Sequence, residues 1–399
     1  MAERPGSRRP RLLVLGAGAA QLGLLAAARA RDLHVIAVDR DPRAPGFALA
    51  DERAVLSSED ELGVERLARA RAVDGLVSPG ADWPVGIAAR VAEKLGLPHP
   101  IDGATAVLAT TKTRQRERLA AAGVPQPRVF AADDAGLPIP CVVKAPDRQG
   151  QRGLTLVRER AELAPALERA AAESRIGAAL VEELVDGPEL TVNAVSIDGR
   201  FVPLTVTDRL TAEPPAFGVA LAHAWPSEQA TEAVVQVAQA AAEALGVRHG
   251  PTYTQIRVGP DGPRVVELAA RLGGGHDAEL CRAALGVDLA DLAVSFALGE
   301  RPSDTVSQAL PAVGGACVLF LVAPEGTLRG VDGAEEAEAL AGIEWVRLYR
   351  QPGWRFGPLR RGADRAGAIL AVGDDRDDAL ARARRAAEAL RFLVDAHAP

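Results

Sequence analysis

The stretch of this 399-residue chain richest in chemistry is TYTQIRVGPDGPRVVELAAR, residues 252–271. Two β-rich runs flank GPDGP, where Gly and Pro supply a turn, so the pattern predicts a β-hairpin. A symmetric hairpin centres on Asp261 and places Gln255 opposite Glu267. Facing side chains have Cβ atoms about 5 Å apart, near enough for an amide oxygen and a carboxylate to hold one cation. Arg271 follows four residues later, and LGGGHD then brings His276 and Asp277. A guanidinium grips a carboxylate or an oxyanion with two parallel bonds. Carboxylate, guanidinium and a glycine run together suit metal-phosphate chemistry.

Other residues ask for anions. Lys144 ends the apolar run CVVKAP, directly before DRQGQRGL. An ammonium there needs an anion or water, because burying it alone is costly. The loop at 147–153, with Gln151, has the composition to fold over phosphate oxygens, although it departs from the P-loop pattern. Lys112 sits in TKTRQRERL, which also reads as an ordinary solvated helix face. VEELVDGPEL carries Glu182, Glu183 and Glu189 around a short turn. Those acids could accept bonds from an adenine amine and ribose hydroxyls, or form a plain charged turn. Near the start, GAGAAQLG follows a strand-like run, with Asp39 placed 21 residues beyond Gly18. That spacing suits a dinucleotide fold, but Gln21 occupies the third glycine position, so a generic parallel-sheet turn competes equally.

These residues need elements to hold them. Residues 11–104 alternate strand and helix, as expected of a parallel sheet covered by helices. The basic, apolar opening RRPRLLVLGAGAAQLGLLAAARA resembles an export signal, but glycines interrupt it and LHVIAVD follows at once, favouring a folded strand–helix–strand unit. Residues 1–10 read as a loose arm. A second unit spans 105–310, with a small subdomain at about 105–180, and TVNAVSIDGRFVPLTVTDRL predicts a hairpin turning at Asp198-Gly199. Residues 311–399 form a small α+β tail ending in the charged helix DDALARARRAAEALRFLVD. Hydrophobic residues make up 48% and charged residues 25%, ordinary for a globular chain. A net charge of −7 argues against nucleic acid or an anionic membrane as main partner. The three cysteines, Cys141, Cys281 and Cys317, lack metal-type spacing and fit a reducing, cytoplasmic setting.

The order of the motifs carries more than any one of them. Lys112, Lys144 with its glycine loop, Glu182 through Glu189, then Gln255, Glu267 and Arg271 resemble the ATP-grasp superfamily. The resemblance covers essentially the whole chain and implies α/β and α+β architecture: a Rossmann-like N-terminal domain, a two-subdomain ATP-grasp fold and a small α+β C-terminal domain. GAGAAQLG with DPRAPGFALAD resembles the ATPase subunit of aminoimidazole ribonucleotide carboxylation, and the tail resembles L-amino-acid ligases. VEELVDGPELTV is similar to the adenine hinge of D-alanine–D-alanine ligases. That likeness implies that Glu182 contacts the adenine amine, Glu183 and Val185 use backbone groups, and Glu189 holds the ribose. Lys112 and Lys144 match the two phosphate-binding lysines.

Most members of this superfamily carry two acids at the metal site, twelve residues apart, with Asn two residues after the second. Here the first acid is Gln255 and the Asn position is Ala269. Carbamoyl phosphate synthetase shares the glutamine, and amino-acid ligases share E-x-A-x-R. The amide still offers a hard oxygen for Mg²⁺, or Mn²⁺ as a substitute, but no charge.

The implied activity is ATP-dependent joining of a carboxylate to an amine through an acyl phosphate. Arg271 and Lys144 are the expected catalytic residues. Arg209, Phe217, His223, Trp225, His276 and Asp277 are candidates for the substrate pocket. Small-molecule acids and amines are the expected partners, with room for a homodimer. A bicarbonate-using carboxylase or carbamoyl-type enzyme, or a non-catalytic ATP-binding protein, are the alternatives. An NAD oxidoreductase explains nothing after residue 105.

Overall fold

The computed structural model describes residues 8–395. Of the expected N-terminal arm, residues 1–7 lie outside the described residues. Positions 8–10 are tied down: Arg8 bonds Asp74 at 2.8 Å, and Arg9 reaches Asp51.

Three apolar runs buried on both faces and a half-exposed edge strand form a four-stranded parallel sheet, the usual outcome when helices cover both sides. Its order is Glu52–Val55, His34–Asp39, Arg11–Leu15, Gly75–Val77. The ambiguous N-terminal stretch is a strand, the helix Leu22–Ala30 and a second strand. Two loops leave the carboxyl ends of its strands, at 16–21 and 78–81, where ligands of open α/β sheets bind.

A larger, eight-stranded sheet forms the centre. Its order runs Gly262–Ala269, Gly250–Gly259, Glu189–Ile197, Arg200–Thr211, Ala220–Trp225, Gly315–Leu321, Gly367–Gly373, Ile343–Leu348. The last three strands come from beyond residue 311. The tail therefore extends the central sheet instead of standing apart, because Gly315–Leu321 pairs along its whole length with Gly367–Gly373 and, through Ala316 to Leu319, with Ala222 to Trp225. The tail's last helix is shorter than its composition suggested. It ends at Ala389, and Arg391–Asp395 is a strand paired with Gly326–Asp332. The alternation of RFLVD, with Phe392 and Val394 turned toward the core, decides this.

A small four-stranded sheet, Val129–Phe130, Leu180–Glu183, Cys141–Lys144, Thr155–Val157, forms a lid over the centre, backed by the helix Leu163–Glu173. The helices Gly103–Thr110 and Lys112–Ala121 do not join it. Ala106, Ala109 and Leu119 bury in the same core as Val192, Ile256 and Leu268 of the central sheet. The lid, expected over about 105–180, thus begins at Val129.

Candidate active site between lid and central sheet

The hairpin pairs Gln255 with Glu267, as the sequence suggests, though by another route. Its turn is Pro260-Asp261 between paired Gly259 and Gly262, one position out of step with symmetry about Asp261. A bulge between Gln255 and Ile256 restores the register. Tyr253 pairs with Ala269, and its hydroxyl accepts from the Gln255 amide nitrogen at 3.1 Å. That bond turns the Gln255 carbonyl oxygen free for a cation.

Glu267 is matched by Lys112, whose ammonium lies 2.7 Å from its carboxylate and donates to the Arg148 carbonyl at 2.6 Å. Lys112 is therefore buried rather than solvated: it opens its helix and faces the hairpin. Burial pulls its pKa down, but Glu267, Asp82 and Glu182 outweigh it and hold it above the ordinary lysine value. Glu267 is held below its ordinary value, burial being overcome by Lys112.

Lys144 sits at the end of its lid strand, 2.7 Å from Glu182. Arg116 takes the other side of that carboxylate, also at 2.7 Å, and adds bonds to the carbonyls of Val265 and Val266. Glu182 is 2% exposed, with both oxygens engaged. The adenine-amine role expected for its side chain does not fit that geometry, and its carboxylate instead fixes Lys144. Burial pushes Lys144 down to about 8, with Glu182 opposing and Arg116 adding to the shift. Burial disfavours the Glu182 charge, yet Arg116 and Lys144 bring it to about 2.

Between Glu183 and Glu189 the chain crosses from lid to central sheet. Gly187, at φ +148°, passes so near the Val258 carbonyl that a Cβ would sit 1.9 Å from it, so only glycine fits. Glu183 bonds Arg128 at 2.6 Å and pairs with Arg264. Glu183, Val185 and Glu189 line a cleft with Lys112, Lys144 and Gln151. Glu189, expected on a ribose, already holds Arg209 at 2.6 Å.

A second cavity, about 370 Å³, opens from the first. Gln149, Gly150, Gln151, Arg209 and Gln255 line both. Loops of the parallel sheet, central strands and tail segments all contribute to its walls. Among the described residues four arginines face it, Arg209, Arg271, Arg350 and Arg365, and no Asp or Glu does. Arg271 is held by Asp82, with contacts at 2.6 and 2.7 Å. Arg350 and Arg365 make no ion pair among the described residues; they bond backbone carbonyls of Ala363, Gly362 and Ala220. Burial pushes Arg365 down to about 10 and lowers Arg350 as well. Such a cavity suits an anion.

His223 lines this cavity and is backed by Asp277 at 2.8 Å, both 1% exposed in their side chains. His276, expected opposite, points elsewhere. Its left-handed backbone (φ 61°) caps the following helix and aims the ring at Trp345 and Tyr349, with Nε2 2.5 Å from the Tyr349 hydroxyl. Trp225 is likewise packed in the core, whereas Phe217 lines the first cleft. Asp39 spends its carboxylate on the backbone N–H groups of Ala17 and Asp41, which leaves no ribose acid of the dinucleotide type.

The metal question has a chemical answer. Among the described residues no group of three His, Cys, Asp or Glu could hold an ion. One carboxylate and one amide oxygen fit Mg²⁺, which keeps waters and takes substrate phosphates as ligands.

Residues 137–279 match the ATP-grasp domain, and residues 319–395 match the L-amino acid ligase C-terminal domain 2. An uncharacterized protein of Sinorhizobium fredii is 28% identical, covering 92% of this chain and 79% of its own. The formate-dependent phosphoribosylglycinamide formyltransferase of Burkholderia lata is 29% identical over 96% of this chain and 95% of its own. The crystal structure of the L-amino acid ligase from Bacillus licheniformis superposes with a TM-score of 0.83, covering 98% of this chain and 100% of that one, at 22% identity.

Proposed function

The chain is an ATP-grasp enzyme, and from that premise we propose that it joins a small carboxylic acid to an amine, spending ATP to ADP and phosphate. One observation carries the reading. A cleft with two lysines opens at Gln255 into a cavity lined by four arginines and no acid. An acid held there lies beside the phosphates of a nucleotide in the cleft.

In this reading Val185, Phe217 and the hinge flank the adenine, while Lys112, Lys144 and Gln151 meet the phosphates. Gln255 and Glu267 hold Mg²⁺, with Mn²⁺ as a substitute; the ion, when bound, neutralises phosphate charge. Lys112 then leaves Glu267 for the phosphates, so one ammonium serves both states. The acid's carboxylate rests on Arg271 and Arg209, and attacks the γ-phosphate to give an acyl phosphate. Positioned charge does most of this work. Closure of the 147–153 loop excludes water from the acyl phosphate. Glu189 and Asp82 act by aiming Arg209 and Arg271.

Bicarbonate as the acid is the second reading, favoured by Gln255, but it leaves most of the larger cavity unfilled. No described helix is long and apolar enough to cross a membrane, and a cytoplasmic enzyme acting as a homodimer is our expectation. The test is ADP release from MgATP with amino acids, small acids and bicarbonate in turn. Release that depends on an organic acid and is lost in Glu267→Ala supports the ligase. Release driven by bicarbonate alone favours the second reading, and ATP binding without release contradicts both.

A further inference from the structure

Resting on that ligase reading, we propose that His223 is the base that takes the proton from the attacking amine, with Asp277 as its positioning residue. An ordinary amino group reaches the site mostly as an ammonium at neutral pH, and an ammonium has no lone pair to form a bond. Some group facing the second cavity must accept its proton.

The lining offers few. Arginines do not give up or accept protons here, and the glutamine amides are not bases. The phenols of Tyr253 and Tyr349 are raised by burial above their ordinary value, so they stay protonated. Among the described residues no carboxylate lines the cavity. His223 remains.

Its geometry suits the task. Asp277 Oδ1 lies 2.8 Å from Nδ1 and so keeps that nitrogen the N–H donor. Asp277 is itself fixed as a carboxylate, accepting from the Gly275 N–H at 3.2 Å and from Asn193 at 3.5 Å. Burial opposes its charge, but His223 and these donors hold it below its ordinary value. The second ring nitrogen, Nε2, is buried and has no hydrogen-bond partner. An orphaned acceptor at a cavity wall is costly unless a ligand completes it. Gly275 keeps the approach open, since a Cβ there would lie 2.9 Å from the ring.

The step balances. The ammonium gives one proton to Nε2, and the freed lone pair forms the C–N bond at the acyl carbon. The C–O bond to phosphate breaks with its electron pair on phosphate, which takes the second proton from nitrogen. His223 returns its proton to solvent.

Hydroxylamine separates this role from a structural one, because it is largely neutral at neutral pH and needs no base. The full-length chain with MgATP is offered each of the twenty protein amino acids and a panel of small carboxylic acids with hydroxylamine, and hydroxamate is measured. The acid so identified is then paired with amino acids as ordinary amines, and amide is followed by mass. In His223→Asn, amide formation falls by about 10²–10⁴-fold, the usual share of a general base, while hydroxamate formation stays within a few-fold of wild type. Asp277→Asn shows the same split to a smaller degree, and serves where the histidine variant folds poorly. Equal losses in both reactions, or an unchanged amide rate, overturn the assignment. A wild-type chain that makes no hydroxamate with any acid overturns the ligase reading itself, and the base with it.

Discussion

The two adjoining cavities differ in how far their charges are matched. In the first cleft both lysines already have an anion: Lys112 has Glu267, and Lys144 shares Glu182 with Arg116. In the second cavity Arg209 and Arg271 are paired as well, with Glu189 and Asp82, but Arg350 and Arg365 meet only carbonyl oxygens and the ring faces of Trp354 and Phe320. The first is a network the protein completes by itself and must partly exchange when ATP arrives. The second is completed by something from outside. Charge that is internally satisfied serves the fold as well as the ligand, and charge left over serves the ligand.

Breaking the comparison at its hardest point means Glu267→Ala. That variant removes the one carboxylate at the metal site and leaves Lys112 without its partner. Turnover should fall by about 10²–10³-fold or more, the scale of losing one preorganised electrostatic group, as read from steady-state ADP release. Glu182→Gln comes next. It strands two buried cations, and breaking a buried pair this way costs about 3–5 kcal/mol, measurable as a lowered denaturant midpoint.

Arg365→Gln is the counterpart in the other cavity. No ion pair is lost in the free protein, only two carbonyl bonds and the stacking on Phe320, so stability should fall by about 1–2 kcal/mol. KM for the acid or for its amine partner should rise about 10–100-fold, the worth of one charge-assisted bond. A large stability loss instead would mean that Arg365 is part of the fold's own network. The smallest effect is one of pH. With Lys144 near 8 in the free enzyme, the charged form that binds phosphate dominates below that value and is lost above it. Affinity for ATP should therefore weaken several-fold between pH 7 and 9, and Lys144→Arg should flatten that dependence.

How much of this was legible varied with sequence distance. The Gln255–Glu267 pair could be read because a short turn fixes its own register, even though a bulge rather than symmetry delivered it. Lys144 could be read because a lysine closing an apolar strand needs a partner. Arg116 was missed, although it lies four residues after Lys112 on one helix face, a spacing that pairs side chains. Asp82, Arg350 and Arg365 left no local signal: they come from other parts of the chain and meet only in the fold. Periodicity says which face of an element is buried but not what lies across from it. That is also why Glu182 and Glu189 looked free for a nucleotide when each already grips a cation. In the tail, helix-forming alanines and arginines masked the alternation that makes RFLVD a strand.

The most direct test of the account follows oxygen atoms. The acid that stimulates ADP release is prepared with heavy oxygen in its carboxylate, and the phosphate and nucleotide products are analysed by mass. Activation in the arginine-lined cavity by the γ-phosphate predicts one labelled oxygen in inorganic phosphate for every amide formed, with unlabelled ADP. Unlabelled phosphate, or label carried on AMP, would contradict it.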